Sequence, residues 1–486
     1  MWALVTLTAS LAGCGGGGSS GSSGNAATDS ASAALAAARP AALAPAPVDV
    51  VPAALKVVTG NRTLYVSPSG SDNNDGFSEA KPLQTIQRGV DKAVPGDTVL
   101  VRNGTYTNAD PRSNIVTLTR SGTPSAWIAL KAYPGEKPLL KSANWTAIGV
   151  QASYVLVEGF KIVGNRDQVS LDYAMSQATN LDNPITSGNG IGITPVYGRP
   201  DVRSHHVVIR GNEVYDCSGG GIFSNQADYV LIESNTVSGN AWWSPYATSG
   251  VSVYQNWNSD DVSGYKMIVR GNKVSSNTNK IPFFYSSSDP AKRVISDGNG
   301  IIVDDARNTQ AFSGNQGSPY KGRTLVDSNL IVQNGARGVN VFSSDHVDVV
   351  NNTTYQNAFQ PETPDGEISI FDANDVRIFN NIVSARSDRP SLKRASASDP
   401  SRSAERASHA IGRNLVSRGT GFDAEAGDNL VGVDPQFVDP AANDFQVRAN
   451  SPAIDAANSR YSFSTALYNA ARYLGSGPDI GAFENR

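Results

Sequence analysis

The chain has 486 residues, 39% of them hydrophobic and 17% charged, with 46 Gly and a formal net charge of −4. Charge this small and this interspersed excludes an electrostatic nucleic-acid binder, and two Cys, at positions 14 and 217, exclude a disulfide framework. A chain this long ordinarily divides into two or three domains, unless it grows along one axis as a solenoid does.

Residues 1–13 are apolar and end Leu11-Ala12-Gly13-Cys14, before Gly15-Gly16-Gly17-Gly18-Ser19-Ser20-Gly21. This resembles the lipobox of bacterial lipoproteins. The resemblance implies that residues 1–13 are a signal peptide, that Cys14 becomes the lipidated first residue, and that residues 14–60, rich in Gly, Ser, Ala and Pro, are a tether. Gly15 resembles the residue after the Cys in lipoproteins sorted to an outer membrane, so the expected location is outside the cytoplasm, on the periplasmic or surface face of that membrane. An ordinary cleaved signal peptide with a chance Cys is the alternative. No other segment approaches the ~18 apolar residues of a membrane span.

Order is expected to begin near Thr63-Leu64-Tyr65-Val66. Within residues 83–93, Ile86, Val90 and Ala93 share one side at helical spacing, which predicts a short amphipathic helix covering the open end of a solenoid. Tyr65-Val66-Ser67-Pro68-Ser69-Gly70-Ser71-Asp72, Pro82-Leu83-Gln84-Thr85-Ile86, Pro95-Gly96-Asp97-Thr98-Val99 and Gly104-Thr105-Tyr106 resemble the opening of secreted right-handed parallel β-helix proteins of the pectate lyase superfamily. These include polysaccharide lyases of the ninth and sixth families, which cleave pectate, alginate or dermatan chains. Asp434-Pro435-Gln436-Phe437-Val438-Asp439, Ser451-Pro452-Ala453-Ile454-Asp455 and Gly477-Pro478-Asp479-Ile480-Gly481-Ala482-Phe483 are similar to the C-terminal coils of the same proteins. The resemblance implies one all-β domain over residues 61–486 and a carbohydrate-active enzyme.

From the middle of the chain onward, one phrase repeats: two apolar positions on one face of a short strand, then Asn. It ends at Asn212, Asn235, Asn272, Asn329, Asn352 and Asn381, with a minimum spacing of 23 residues, which suits one coil of a parallel β-helix. The Asn side chains are expected to stack as a structural ladder. Second strands follow at Gly190-Ile191-Gly192-Ile193, Gly221-Ile222-Phe223, Gly250-Val251-Ser252-Val253, Gly300-Ile301-Ile302-Val303 and Gly338-Val339-Asn340-Val341. Residues 385–418, with Arg386, Arg389, Lys393, Arg394, Arg402 and Arg406, read as an inserted loop: a solvated segment, or a flap whose cations attract a polyanion.

Aligning the second strands puts Thr194, Asn225, Tyr254, Asp304 and Phe342 in one outward column, with Ser252, Ile302 and Asn340 two residues earlier. The most charged coil runs Asp297-Gly298-Asn299-Gly300 to Asp304-Asp305-Ala306-Arg307, and Arg337, Asn340 and an outward Glu367 follow it. In a lyase reading, Asp304 and Asp305, with Asp297 or Glu367, hold Ca²⁺ through oxygen ligands, and the cation bridges to a uronate carboxylate. By resemblance to the lyases, Arg307 or Arg337 removes the α-proton in β-elimination. In a hydrolase or transglycosylase reading, two of Asp297, Asp304, Asp305 and Glu367 act as paired carboxylates without a metal. The ninth-family pattern has a denser Asp cluster and a Lys base in the next coil, whereas here Lys266, Lys273 and Lys321 lie off the column.

Trp242, Trp243, Tyr246, Tyr254 and Trp257 flank the strand at 251–253, and with Asn340 they are candidate sugar-binding residues, since sugar C–H faces stack on aromatic rings. The alternative for this aromatic loop is burial against the solenoid. Cys217 reads as a small buried residue, and His206 and His346 share a turn position with Tyr229 and Arg323. The first functional reading is a monomeric, exported lyase that cleaves an acidic polysaccharide with Ca²⁺. The second is a glycoside hydrolase or transglycosylase in the same groove. A non-catalytic carbohydrate-binding surface protein is the third.

Overall fold

The computed structural model describes residues 50–485, apart from 197, 200, 312–316, 396–398, 425–426, 464 and 468–469. The signal peptide, Cys14 and the tether up to residue 49 lie outside the described residues.

Three parallel sheets run the length of the domain, which is a parallel β-helix. A complete coil contributes one strand to sheet I, one to sheet II and one to sheet III, in that order. The coil His205–Asn225, for example, gives His205–Arg210 to sheet I, Glu213–Tyr215 to sheet II and Ile222–Asn225 to sheet III. Sheets I and II have eleven strands and sheet III nine. Period-2 alternation sends Val207, Ile209, Val214 and Ile222 inward, where they join one continuous aliphatic core. Every strand between the ends of a sheet pairs with the coil before and after it, so no backbone edge is left inside the stack.

Turns between sheets I and II carry the expected ladder. The Asn235 carboxamide oxygen accepts from Asn212 N and Nδ2, at 2.9 and 3.1 Å, and the pattern continues through Asn272, Asn329, Asn352 and Asn381 to Asn414 and Asn429. A second ladder stands between sheets II and III: Asn240, Asn277, Asn334 and Asn357 repeat the same contacts. Cys217 takes the slot before Asn240; it is buried, and burial pushes its thiol up to about 12.

The helix at Ile86–Lys92 closes the first coil, with Thr85 as its N-cap. It lies against the first strand of sheet III, Val116–Leu118, whose edge would otherwise be unpaired. Gln87 bridges that edge, its carboxamide accepting from Thr117 N at 2.8 Å and donating to Thr117 O at 3.1 Å.

Three expectations are corrected by the fold. Packing starts by Val50, before Thr63: Leu55 is buried and, with Val50, Val51 and Val57, docks on Trp127, Leu156, Val208 and Leu231 of the outer face of sheet I. Residues 50–60 are therefore not free tether, because the sheet offers them an apolar face. Residues 385–418 are not an interrupting loop but further coils. They supply Leu392–Lys393 to sheet III, Ala410–Gly412 to sheet I and Leu415–Arg418 to sheet II. Their cations are mostly paired: Lys393 with Asp365, Arg394 and Arg406 with Asp423, and Arg402 with Asp372 and Glu405. Finally, the C-terminal motifs do not make coils. Phe437, Phe445, Val447, Ala453 and Ile480 cover sheet II beside Leu330, Ile382 and Leu415.

Candidate active site

With the outer faces of sheets I and II covered by terminal segments, chemistry is left to sheet III. The long insertions also gather there: residues 240–250 and 277–299 enter it from sheet II, and residues 255–264 and 305–322 leave it for sheet I. Strand register places Asn225 beside Tyr254, Tyr254 beside Asp304, Asp304 beside Phe342 and Phe342 beside Phe371. The outward column is thus continuous at about 4.8 Å per rung. Ile302, Asn340 and Ser369, two residues earlier and each 6% exposed, form the floor of a groove.

Asp304 stands at the middle of this column. Gln310 Nε2 donates to its Oδ1 at 2.8 Å, and the Gln310 carboxamide oxygen accepts from the Tyr254 hydroxyl at 3.2 Å. Burial, with the negative charges of Asp297 and Asp305 nearby, holds the Asp304 carboxyl well above the usual carboxylate range. Asp297 is raised as well, chiefly by burial, against the pull of Ser296, Arg337 and Asn299. One rung on, Phe342 and Phe371 stack with centroids 5.7 Å apart and planes 11° apart, and Phe371 is 45% exposed.

The other expected site residues have structural work. Asp305 is fully buried in the left-handed region (φ 48°), where its carboxylate accepts from Thr309 N and Oγ1, Gln310 N and Gln255 Nε2. Arg307 is forked onto Asp345 at 3.0 and 2.7 Å and reaches Asp372 at 2.9 Å; these partners raise its pKa further. A guanidinium so held is no base. Arg337 donates to Ser296 O at 2.6 Å and pairs with Asp365. Glu367 does not point outward: it is fully buried and terminates the second ladder, accepting from Asn357 N and Nδ2 at 2.8 and 2.5 Å.

Among the aromatic candidates, Tyr254 alone stands in the column. Trp243 is buried in a loop cluster with Val169, Ala174 and Ile281, and its indole donates to Arg166 O. Trp242 is clamped between Arg166 and Lys280, 4.6 and 4.1 Å from its ring centroid. These two rings fasten the insertion to the solenoid, which is the burial alternative rather than a sugar subsite. Trp257 lies off the column, toward the turn into sheet I.

The donor set does not fit Ca²⁺. A calcium ion takes six to eight oxygens, several from carboxylates. Both oxygens of Asp305 are occupied by N–H and O–H donors, Asp297 is bonded to Ser296 and Asn299, and Asp304 alone keeps an oxygen with no partner among the described residues. No group of three His, Cys, Asp or Glu side chains is arranged to hold a metal among those residues.

Two site features are not visible in the repeat pattern of the second strands. Gln310, which ties Tyr254 to Asp304, sits in an insertion with no repeat to align it. Glu367 belongs to a ladder whose Asn residues follow the first ladder at a constant offset, 235 to 240, 272 to 277, 329 to 334 and 352 to 357, and that offset was available as a signal.

The stacked coils define a parallel β-helix, and the comparisons with known proteins place it in the polysaccharide-lyase class. The Pel9A-like right-handed β-helix family model matches residues 64–365, and the chain belongs to that family. It is 24% identical to pectate lyase L of Dickeya dadantii over 442 residues, 88% of this chain and 91% of that protein. A shorter match, 51% identity over 77 residues, is to pectate lyase PEL9 of Emericella nidulans and spans 18% of that protein. The crystal structure of pectate lyase Pel9A superposes with a TM-score of 0.50 at 17% identity, covering 89% of this chain and 98% of the other; this shows the shared fold.

Proposed function

We propose that this protein cleaves a uronate-containing polysaccharide by β-elimination in the groove over sheet III. Family membership supports elimination. The observation that carries the site is Asp304, whose carboxyl is held well above the usual carboxylate range by burial and by the charges of Asp297 and Asp305, midway along an aromatic-lined groove. Elimination transfers the proton α to the uronate carboxylate to a base, for which Asp297, the carboxylate whose charge acts on Asp304, is the group this groove offers, as the carbon–carbon double bond forms and the glycosidic oxygen leaves. Neutral Asp304 donates its proton to that departing oxygen, Gln310 fixes the carboxyl and orients Tyr254, and Phe342 and Phe371 stack against the sugars on the next rungs. No step is routed through a metal.

One observation favours a second reading. The negative charge of Asp297 adds to the burial that raises the Asp304 carboxyl, and a pair of nearby carboxyl groups is what glycoside hydrolases use. The product distinguishes the two: elimination leaves an unsaturated uronate that absorbs in the ultraviolet, and hydrolysis does not. Pectate, alginate, glycosaminoglycan and neutral glycans should be screened this way. Asp304→Asn is expected to lower kcat by ~10²–10⁴ with unchanged circular dichroism; full activity in that variant would remove Asp304 from the reaction. Because the acid form is required, activity should fall as pH rises through the Asp304 pKa. Chelator should leave the rate unchanged, and Ca²⁺-dependent turnover would restore a metal to the mechanism. Export with a lipid anchor at Cys14 is supported by the lipobox; Cys14→Ser should release the protein from the membrane fraction.

A further inference from the structure

Beside the groove, where the chain turns from sheet III to sheet I, lies a cavity of about 260 Å³ lined by Arg203, Gln226, Gln255, Trp257, Asn308 and Lys321, among others. Its wall is built from polar groups that have been taken out of water without being satisfied. Gln226 and Gln255 are 2% and 0% exposed, and the carboxamide oxygen of each has no partner among the described residues. Asn256, behind the wall between Gln255 and Trp257, is buried with neither its side-chain oxygen nor its side-chain nitrogen bonded among the described residues. A buried polar group left unpaired costs about 1–3 kcal/mol, so several around one cavity mark a place where a polar guest completes the structure.

The charge of the cavity says what guest. Most arginines around sheet III are locked onto carboxylates, as Arg307 and Arg337 are. Arg203 has no hydrogen bond or ion pair among the described residues, its Nε is buried and unbonded, and its guanidinium lies 5.7 Å from the Trp257 ring centroid. Lys321 adds a second cation, shared with Asp261. A planar fork, an indole face and amide oxygens match a carboxylate, a C–H face and ring hydroxyls respectively.

We infer that this cavity is a binding site for a single uronate unit, set off the main groove, with Arg203 taking the carboxylate, Trp257 stacking on the ring and Gln226 and Gln255 accepting from its hydroxyls. The backbone joins it to the acid: Gln255 follows Tyr254 and donates to Asp305, the neighbour of Asp304. A uronate held here would be a chain end or branch of the polymer cleaved in the groove. Only the choice of sugar rests on the proposed function.

Binding is tested in the full-length Asp304→Asn protein, so that catalysis plays no part. D-galacturonate and D-glucuronate, with galactose and acetate as comparisons, are titrated by calorimetry and saturation-transfer NMR. Saturable binding of a uronate is expected, absent for galactose and acetate, and weakened about tenfold or more by Arg203→Met and by Trp257→Ala. Because Arg203 is partly exposed and has no ion pair among the described residues, Arg203→Met should keep the wild-type melting temperature, which covers the case in which Trp257→Ala fails to fold. No saturable binding, meaning that water alone fills the cavity, or binding unchanged in both variants would overturn the assignment. Absence of an unsaturated product would sink the lyase reading and leave this one standing.

Discussion

Adjacent residues of one sequence type have separate fates. Asp304 and Asp305 are neighbours, yet alternation turns the first into the groove, while a left-handed backbone folds the second under its own loop. Glu367 shows the same divide at larger distance. Its carboxylate takes two donors from Asn357 and stops a ladder that otherwise needs another Asn, and burial lifts its pKa from 4.5 to about 7. The folded state therefore holds this proton more tightly than the unfolded chain. The stability it contributes is full below pH 4.5 and is lost as pH rises through about 7. Glu367→Gln should remove up to roughly 3 kcal/mol of that pH dependence, read from denaturant midpoints across the window. An unchanged pH profile in the variant would show that Glu367 does not titrate there.

Turns, more than strands, specify the coil. Each ladder Asn satisfies three or four groups in a turn that has no room for water, so the cost of losing one is set by what it strands. Asn277→Ala would leave Asn240 N without its acceptor and remove the side-chain bonds to Asn240 Nδ2, the Val237 carbonyl and the Asn334 oxygen, the last of which would still accept from the backbone N of residue 277. A loss of about 2–4 kcal/mol is expected, measured as a fall in thermal midpoint, with the strands of flanking coils still parallel by circular dichroism. The turn from sheet III to sheet I follows another rule. Tyr154, His206 and Tyr229 hold left-handed φ and stack face to face at 4.6 and 4.4 Å, which explains the shared turn register of His206 without any chemistry. On sheet III, Phe371→Ala removes an exposed ring and one of the proposed sugar platforms; KM should rise several-fold while kcat and stability hold.

At the scale of the molecule, location of the groove is decided by coverage. Three equivalent outer faces are generated by one repeat, and the ends of the chain remove two of them. Removing residues 50–60 would expose Trp127, Leu156, Val208 and Leu231, with a loss of about 1.5–3 kcal/mol for Leu55 alone and a rise in self-association by light scattering. The groove on sheet III should retain its activity in that truncation, since none of its residues touches the segment.

Local pattern wrote the rungs. Apolar alternation, the recurring Asn, the second-strand column from Asn225 to Phe342 and the capping helix were all legible, because each is fixed by neighbours a few residues away or by a repeat that tertiary stacking only continues. Which carboxylates remain available for chemistry was not legible. Asp305, Arg307, Arg337 and Glu367 carry the right groups at plausible positions, and each is engaged by a partner from another coil or insertion. Charge in a sequence is a capacity; whether it faces solvent, substrate or a counter-ion depends on what distant segment packs against it, and only the tertiary structure supplies that.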